Sequence, residues 1–107
     1  MLFKSFETMD INDGVQRFNE TPNAVLLDVR EAAEYAQEHI PGSVNVPLSV
    51  FGTVTRVVPE ADTPLFVYCT AGVRSQHACE ALTQAGYTDV TNIGGINSYY
   101  GEVAHEC

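Results

Sequence analysis

With 107 residues, 45% of them apolar and 18% charged, the chain fits one globular domain with a real core and leaves no room for a second. A formal charge of −9, from 14 acidic and 5 basic residues, repels phosphate backbones and anionic lipid, which excludes nucleic acid and membrane as natural partners. No apolar run approaches the ~20 residues of a membrane span, and Met1–Glu7 lacks a secretory leader pattern, so a cytoplasmic protein is expected.

In chain order, Phe3–Phe6 reads as a weak edge strand. Asp10 is placed to cap a helix through Phe18, with Ile11, Val15 and Phe18 on one face. After Pro22, the run Ala24–Val29 is short and continuously apolar up to Asp28, the pattern of a strand buried on both faces. A second helix is expected over Glu31–His39, ended by Ile40-Pro41-Gly42, and an extended piece over Ser43–Val46. Ser49 is the candidate cap of a third helix running to Val57 or Val58 and stopped by Pro59.

Leu65–Cys69 follows Pro64 and repeats the buried-strand pattern, ending on a reactive residue. Ser75 opens the clearest helix, with Ala78, Leu82 and Ala85 as its inner stripe and Gly86 just past its end. Val90–Ile93 is the last extended piece, and Ala104–Cys107 reads as a mobile tail. Strands alternating with helices predict an α/β fold with a parallel sheet covered on both faces. There are no repeats and no linker-like stretches.

The chemistry concentrates in Val67-Tyr68-Cys69-Thr70-Ala71-Gly72-Val73-Arg74-Ser75-Gln76, which reads strand, reactive residue, glycine-containing loop, helix. Sites in open α/β sheets lie at the carboxyl ends of strands, where Cys69 falls. The next helix aims its unpaired N–H groups and its dipole at the same point. Gly72 lets the backbone curl, so that the amides from Thr70 through Ser75 form an anion nest. A thiol in that setting should ionise below the ~8.5 of free cysteine, and the thiolate is the nucleophile. Arg74 is the one fixed positive charge of the loop, suited to steering an anionic donor.

The three cysteines, Cys69, Cys79 and Cys107, follow neither disulfide nor zinc spacing, so free thiols and no metal are expected. Cys79 reads as a small core residue and Cys107 as a distant candidate for a resolving thiol. His39 fits a turn-stabilising role better than that of a base, and His77 a solvent-facing one.

At these residues the chain resembles the rhodanese-like domains. The pieces run in that family's order: Leu27-Asp28-Val29-Arg30 with Glu34-Tyr35, then His39-Ile40-Pro41-Gly42 through Pro47, then Cys69 through Ser75, then Gly94-Gly95-Ile96. The resemblance spans roughly Leu2 to Tyr100. It implies a central, mostly parallel five-stranded sheet with helices on both faces and a cysteine loop cradling a persulfide. It also implies sulfane-sulfur transfer from a donor such as thiosulfate to cyanide or a thiol, without a bound cofactor. A thioredoxin-like protein or a cysteine desulfurase would be a natural exchange partner. In this reading Asp28 helps hold the active loop, Arg30 pairs with a helix carboxylate such as Glu34, and Gly94-Gly95 permits a tight turn beside the loop.

Loop length separates two chemistries. Cysteine phosphatases carry Cys-x5-Arg around a phosphoryl group, whereas Cys69 to Arg74 is Cys-x4-Arg, a narrower ring suited to one sulfur atom. A small phosphatase or arsenate reductase is therefore the minor alternative, and a persulfide carrier without turnover the major one. Two features depart from the family pattern. Tyr99 and Tyr100 stand where a tryptophan is common after the double glycine, and the single basic residue of the loop weighs against thiosulfate as the physiological donor.

Overall fold

The computed structural model describes residues 6–106. Phe3–Ser5, most of the expected edge strand, lie outside them. The edge position is taken by β1 (Glu7–Thr8), which pairs parallel with Thr91 and Asn92. The other strands are β2 (Val25–Asp28), β3 (Ser43–Asn45), β4 (Leu65–Cys69) and β5 (Val90–Gly95). Their spatial order is β1-β5-β4-β2-β3, and every pairing is parallel. The chain therefore forms one five-stranded sheet of the expected class.

Alternation along the central strands explains their unbroken apolar sequence. Leu26, Phe66 and Tyr68 point to one face, while Leu27, Leu65, Val67 and Cys69 point to the other. Each face carries its own apolar layer. On the first, α1 (Ile11–Glu20) lays down Ile11 and Val15, and Phe18 meets Phe66 edge-on at 6.3 Å between ring centroids. Asp10 caps this helix by accepting the amides of Asn12 at 2.9 Å and Asp13 at 3.3 Å, a contribution of about 1 kcal/mol. Gly14 lets α1 approach β5, since a Cβ there would lie 2.6 Å from Ile93 Cβ.

On the second face, α4 (Val73–Gln84) buries Ala78, Cys79 and Leu82, beside Val54 of α3 (Val54–Val57) and Val58. Ala85 does not join the inner stripe as expected. It is exposed because the helix ends there: Gly86, at φ 103°, reverses the chain, and its amide and that of Tyr87 bond back to Thr83 and Leu82. Tyr87 then fills the layer instead, its hydroxyl donating to the Val58 carbonyl.

Three further expectations need correction. The second helix, α2 (Ala32–Gln37), stops short of His39, and it buries no residue that would extend it. The third begins as a 3-10 turn over Leu48–Thr53, broken at Val50, and only Val54–Val57 is α-helical. Ser49 is not its cap: the Ser49 hydroxyl donates to Glu31 at 2.8 Å. The segment expected as a mobile tail is tied down across residues 104–106. Ala104 pairs antiparallel with His39, and the Glu106 amide bonds the Ala36 carbonyl at 3.0 Å. Cys107 lies outside the described residues.

Candidate active site

Cys69 is the last residue of β4, with β2 and β5 pairing alongside. Beyond it the chain turns through Thr70-Ala71-Gly72 and enters α4 at Val73, two residues earlier than expected. Gly72 holds φ 101°, the left-handed region that a side chain resists, and this twist turns its amide back on the sulfur. The Gly72 amide lies 3.0 Å from Cys69 Sγ, and the Ser75 hydroxyl 3.5 Å from it. The sulfur has apolar packing on one side and hydrogen-bond donors on the other.

The loop fits because β5 ends in two glycines. A Cβ on Gly95 would stand 2.6 Å from Ala71 Cα and collide with the Thr70 carbonyl. Gly94 sits at φ 90°, turning β5 toward Ile96, as expected of a tight turn beside the loop. Asn97 donates its amide to the Thr70 carbonyl at 3.1 Å, tying the turn to the loop. Tyr99 packs against the α1 layer and Tyr100 is exposed.

Two opposing effects act on the Cys69 thiol. Burial, at 1% exposure, pushes its pKa up and is the largest single influence. The Ser75 hydroxyl and the amides of Ser75, Gly72 and Ala71 pull it down, and together they win. The thiol therefore ionises below its ordinary value, the direction expected from the nest.

The remaining loop residues divide by position. Val73 turns outward and is 65% exposed. Thr70 and Arg74 point to the mouth, where the Arg74 guanidinium grips Glu34 with bonds of 2.8 and 3.0 Å and donates to Thr70 Oγ1 at 2.9 Å. Arg74 is thus already paired. The Glu34 carboxyl is held down to about 2, first by the bonds from Arg74, with burial opposing and the Glu31 amide assisting.

The pairing expected between Arg30 and Glu34 does not form. Arg30 bonds Asp28 instead, Nη2 to Oδ2 at 2.8 Å, with both side chains buried. Asp28 and Arg30 stand two residues apart where β2 ends and so can pair locally, whereas Glu34, on the first turn of α2, meets Arg74 and Thr70 of the loop. The Arg30 guanidinium also bonds the Glu38 carbonyl and lies over the Tyr68 ring, 5.9 Å from its centroid. Asp28 also pairs in register with Tyr68 of β4, the residue before Cys69. Asn45 braces the same turn, its amide donating to the carbonyls of Asp28 and Arg30.

His39 stabilises its turn as expected, with Nδ1 2.8 Å from the Tyr35 carbonyl and its ring stacked on Tyr35 at 3.8 Å. His77 is exposed. Asn92 was missed by sequence reasoning. Its Oδ1 accepts the Ser75 hydroxyl at 2.8 Å and the Gly94 amide at 2.9 Å, joining the loop to β5. A polar residue inside Val90-Thr91-Asn92-Ile93, just before two glycines, was the available signal.

Among the described residues no helix is long and apolar enough to cross a membrane. Comparison with known proteins agrees with the geometry. Residues 12–102 match the family model described as the rhodanese-like domain. The chain is 42% identical over 71 residues to thiosulfate sulfurtransferase PspE of Escherichia coli, covering 65% of this chain and 68% of that one. It is 38% identical over 82 residues to a sulfurtransferase of Allochromatium vinosum, covering 76% of each. Among solved structures, an E. coli rhodanese with anions superposes at a TM-score of 0.71 with 35% identity, over 77% of this chain and 98% of that one. The chain belongs to the rhodanese-like domain family, and it is a sulfurtransferase.

Proposed function

We propose that Cys69 is the nucleophile and carries sulfur as a persulfide. Its thiolate attacks the outer sulfur of a donor; with thiosulfate, a new S–S bond forms to Cys69, the S–S bond of the donor breaks, and sulfite leaves with the electron pair. The persulfide anion rests among the amides of Thr70 through Ser75, with the α4 dipole offsetting its charge. Cyanide or an acceptor thiolate then attacks the outer sulfur, and Cys69 is regenerated as the thiolate. Charge and sulfur balance in both halves without a redox cofactor.

The observation that carries this reading is the Gly72 amide at 3.0 Å from Cys69 Sγ, reinforced by the Ser75 hydroxyl. Asp28 and Arg30 are supports in this scheme. Arg74 shapes the mouth of the loop and is the group nearest to meeting an anionic donor. The acceptor is a small thiol or a thioredoxin-like protein, and a cysteine desulfurase is a candidate donor. We place this exchange in the cytoplasm, in keeping with free thiols at Cys69 and Cys79.

Intact-mass spectrometry after incubation with a sulfane donor tests the reading. The wild type should gain the mass of one sulfur, and Cys69→Ser should gain none. Normal turnover by the serine variant would exclude Cys69. Loading followed by transfer to a protein acceptor, without turnover on thiosulfate and cyanide, would favour the carrier role.

A further inference from the structure

The wall of the site between α2 and the active loop carries three charged side chains, Arg74, Glu34 and Glu31. Arg74 is the only arginine or lysine between Cys69 and the end of α4. Its guanidinium does not stand open. Nη1 and Nη2 bond the two oxygens of Glu34 as a planar fork, and Nη2 also donates to Thr70.

Glu34 is itself held in place. Its Oε1 accepts the Glu31 amide at 2.9 Å, so the first turn of α2 fixes the carboxylate against the loop. The bonds from Arg74 hold the Glu34 carboxyl down to about 2, so it is ionised at neutral pH. Glu31 adds a second carboxylate on the same turn, held by the Ser49 hydroxyl at 2.8 Å. The other arginine near β2, Arg30, is locked against Asp28.

An ion pair whose members are 34% and 37% exposed contributes little to stability. Its larger effect falls on the field at the mouth. A lone guanidinium presents a full positive charge to an incoming ion, whereas a closed pair presents a dipole, and Glu31 leaves this wall negative. The chain as a whole, at −9, adds long-range repulsion of anions.

From this geometry we infer that Glu34 is a specificity-determining residue: by closing on Arg74 it disfavours small dianionic donors such as thiosulfate and favours persulfide donors without net negative charge. The inference rests on the Cys69 persulfide proposed above. With a hydropersulfide donor RS–SH, the Cys69 thiolate bonds the outer sulfur, the RS–S bond breaks, and RS⁻ leaves with the electron pair. The proton stays on the transferred sulfur or passes to the leaving thiolate, so no oxidant or reductant is consumed.

The test measures the second-order rate of Cys69 persulfide formation by intact mass, with thiosulfate and with cysteamine persulfide, whose ammonium offsets its negative charge. In Glu34→Gln an amide oxygen still accepts from Arg74 but the opposing charge is gone. Loading from thiosulfate should rise about tenfold, while loading from cysteamine persulfide changes by less than about twofold. A second measurement needs no variant. Wild-type loading from thiosulfate should quicken as ionic strength rises, because salt screens a net repulsion.

A donor ratio unchanged in Glu34→Gln, or a wild-type thiosulfate rate that falls with salt, overturns the inference and leaves the persulfide standing. Failure of both donors to load wild-type Cys69 overturns the persulfide and the inference together.

Discussion

Cys69 and Cys79 lie in the same apolar layer between the sheet and α4, at 1% and 0% exposure, yet their thiols are driven in opposite directions. Burial pushes Cys79 up to about 12, with the nearby Cys69 charge adding to it. Burial acts on Cys69 as well and is again the largest influence, but the Ser75 hydroxyl and three loop amides outweigh it. Both thiols are equally buried, so what separates them is where the hydrogen-bond donors point. One residue ends a strand inside a curled loop; the other sits in the second turn of a helix whose amides are already used.

The sharpest way to break the contrast is Cys69→Ser, which should lower sulfur transfer by on the order of 10³-fold or more. Cys79→Ser should leave persulfide loading intact in the same mass spectra. Loading on Cys79 in the native protein would refute the distinction between the two.

Gly95→Ala attacks the nest without touching either thiol. The added methyl meets the Thr70 carbonyl and Ala71 Cα, so the loop must move. Thermal or denaturant unfolding should reveal a loss of about 1–3 kcal/mol. Cys69 alkylation should slow as the amides leave the sulfur. An alkylation rate equal to the wild type would mean that the loop amides do not set the thiol's reactivity.

Ser75→Ala removes the hydroxyl beside the sulfur and keeps the amides. Alkylation by iodoacetamide tracks the thiolate, so its pH profile rises through the Cys69 pKa. In the wild type the midpoint should lie below the ~8.5 of free cysteine, because the folded state favours the charged form. Without that hydroxyl the charged form of Cys69 loses a stabilising neighbour, so the midpoint should climb. A midpoint that stays put would assign the effect to the amides alone.

The smallest effect is expected from Cys79→Ala, about 1 kcal/mol of stability in denaturant unfolding, with the Cys69 alkylation profile nearly unchanged. A large shift in that profile would show the two thiols to be more strongly coupled than their surroundings imply.

The two arginine–carboxylate pairs repeat the lesson in another form. Asp28–Arg30 is buried and braces the end of β2, whereas Glu34–Arg74 is partly exposed and closes the mouth of the loop. All four residues were identifiable along the chain, but the partner expected for Arg30 was wrong and none was foreseen for Arg74. Pairing depends on which way α2 faces, and a six-residue helix without a buried stripe leaves no periodic mark of that.

What the chain determined by itself was the part written in local pattern. The runs at 24–29 and 65–69 carry the pattern of strands buried on both sides, Asp10 and Gly86 mark helix ends by their own chemistry, and Cys69-Thr70-Ala71-Gly72 announces a curled loop before a helix. The tertiary structure decided what depends on residues far apart. It brought Asn92 to Ser75, put Gly95 under the loop, moved Glu34 onto Arg74, docked residues 104–106 against α2, and replaced Ala85 with Tyr87 in the core. Local pattern records backbone preference and burial period within a segment, while a contact between segments exists only once the sheet has set their register.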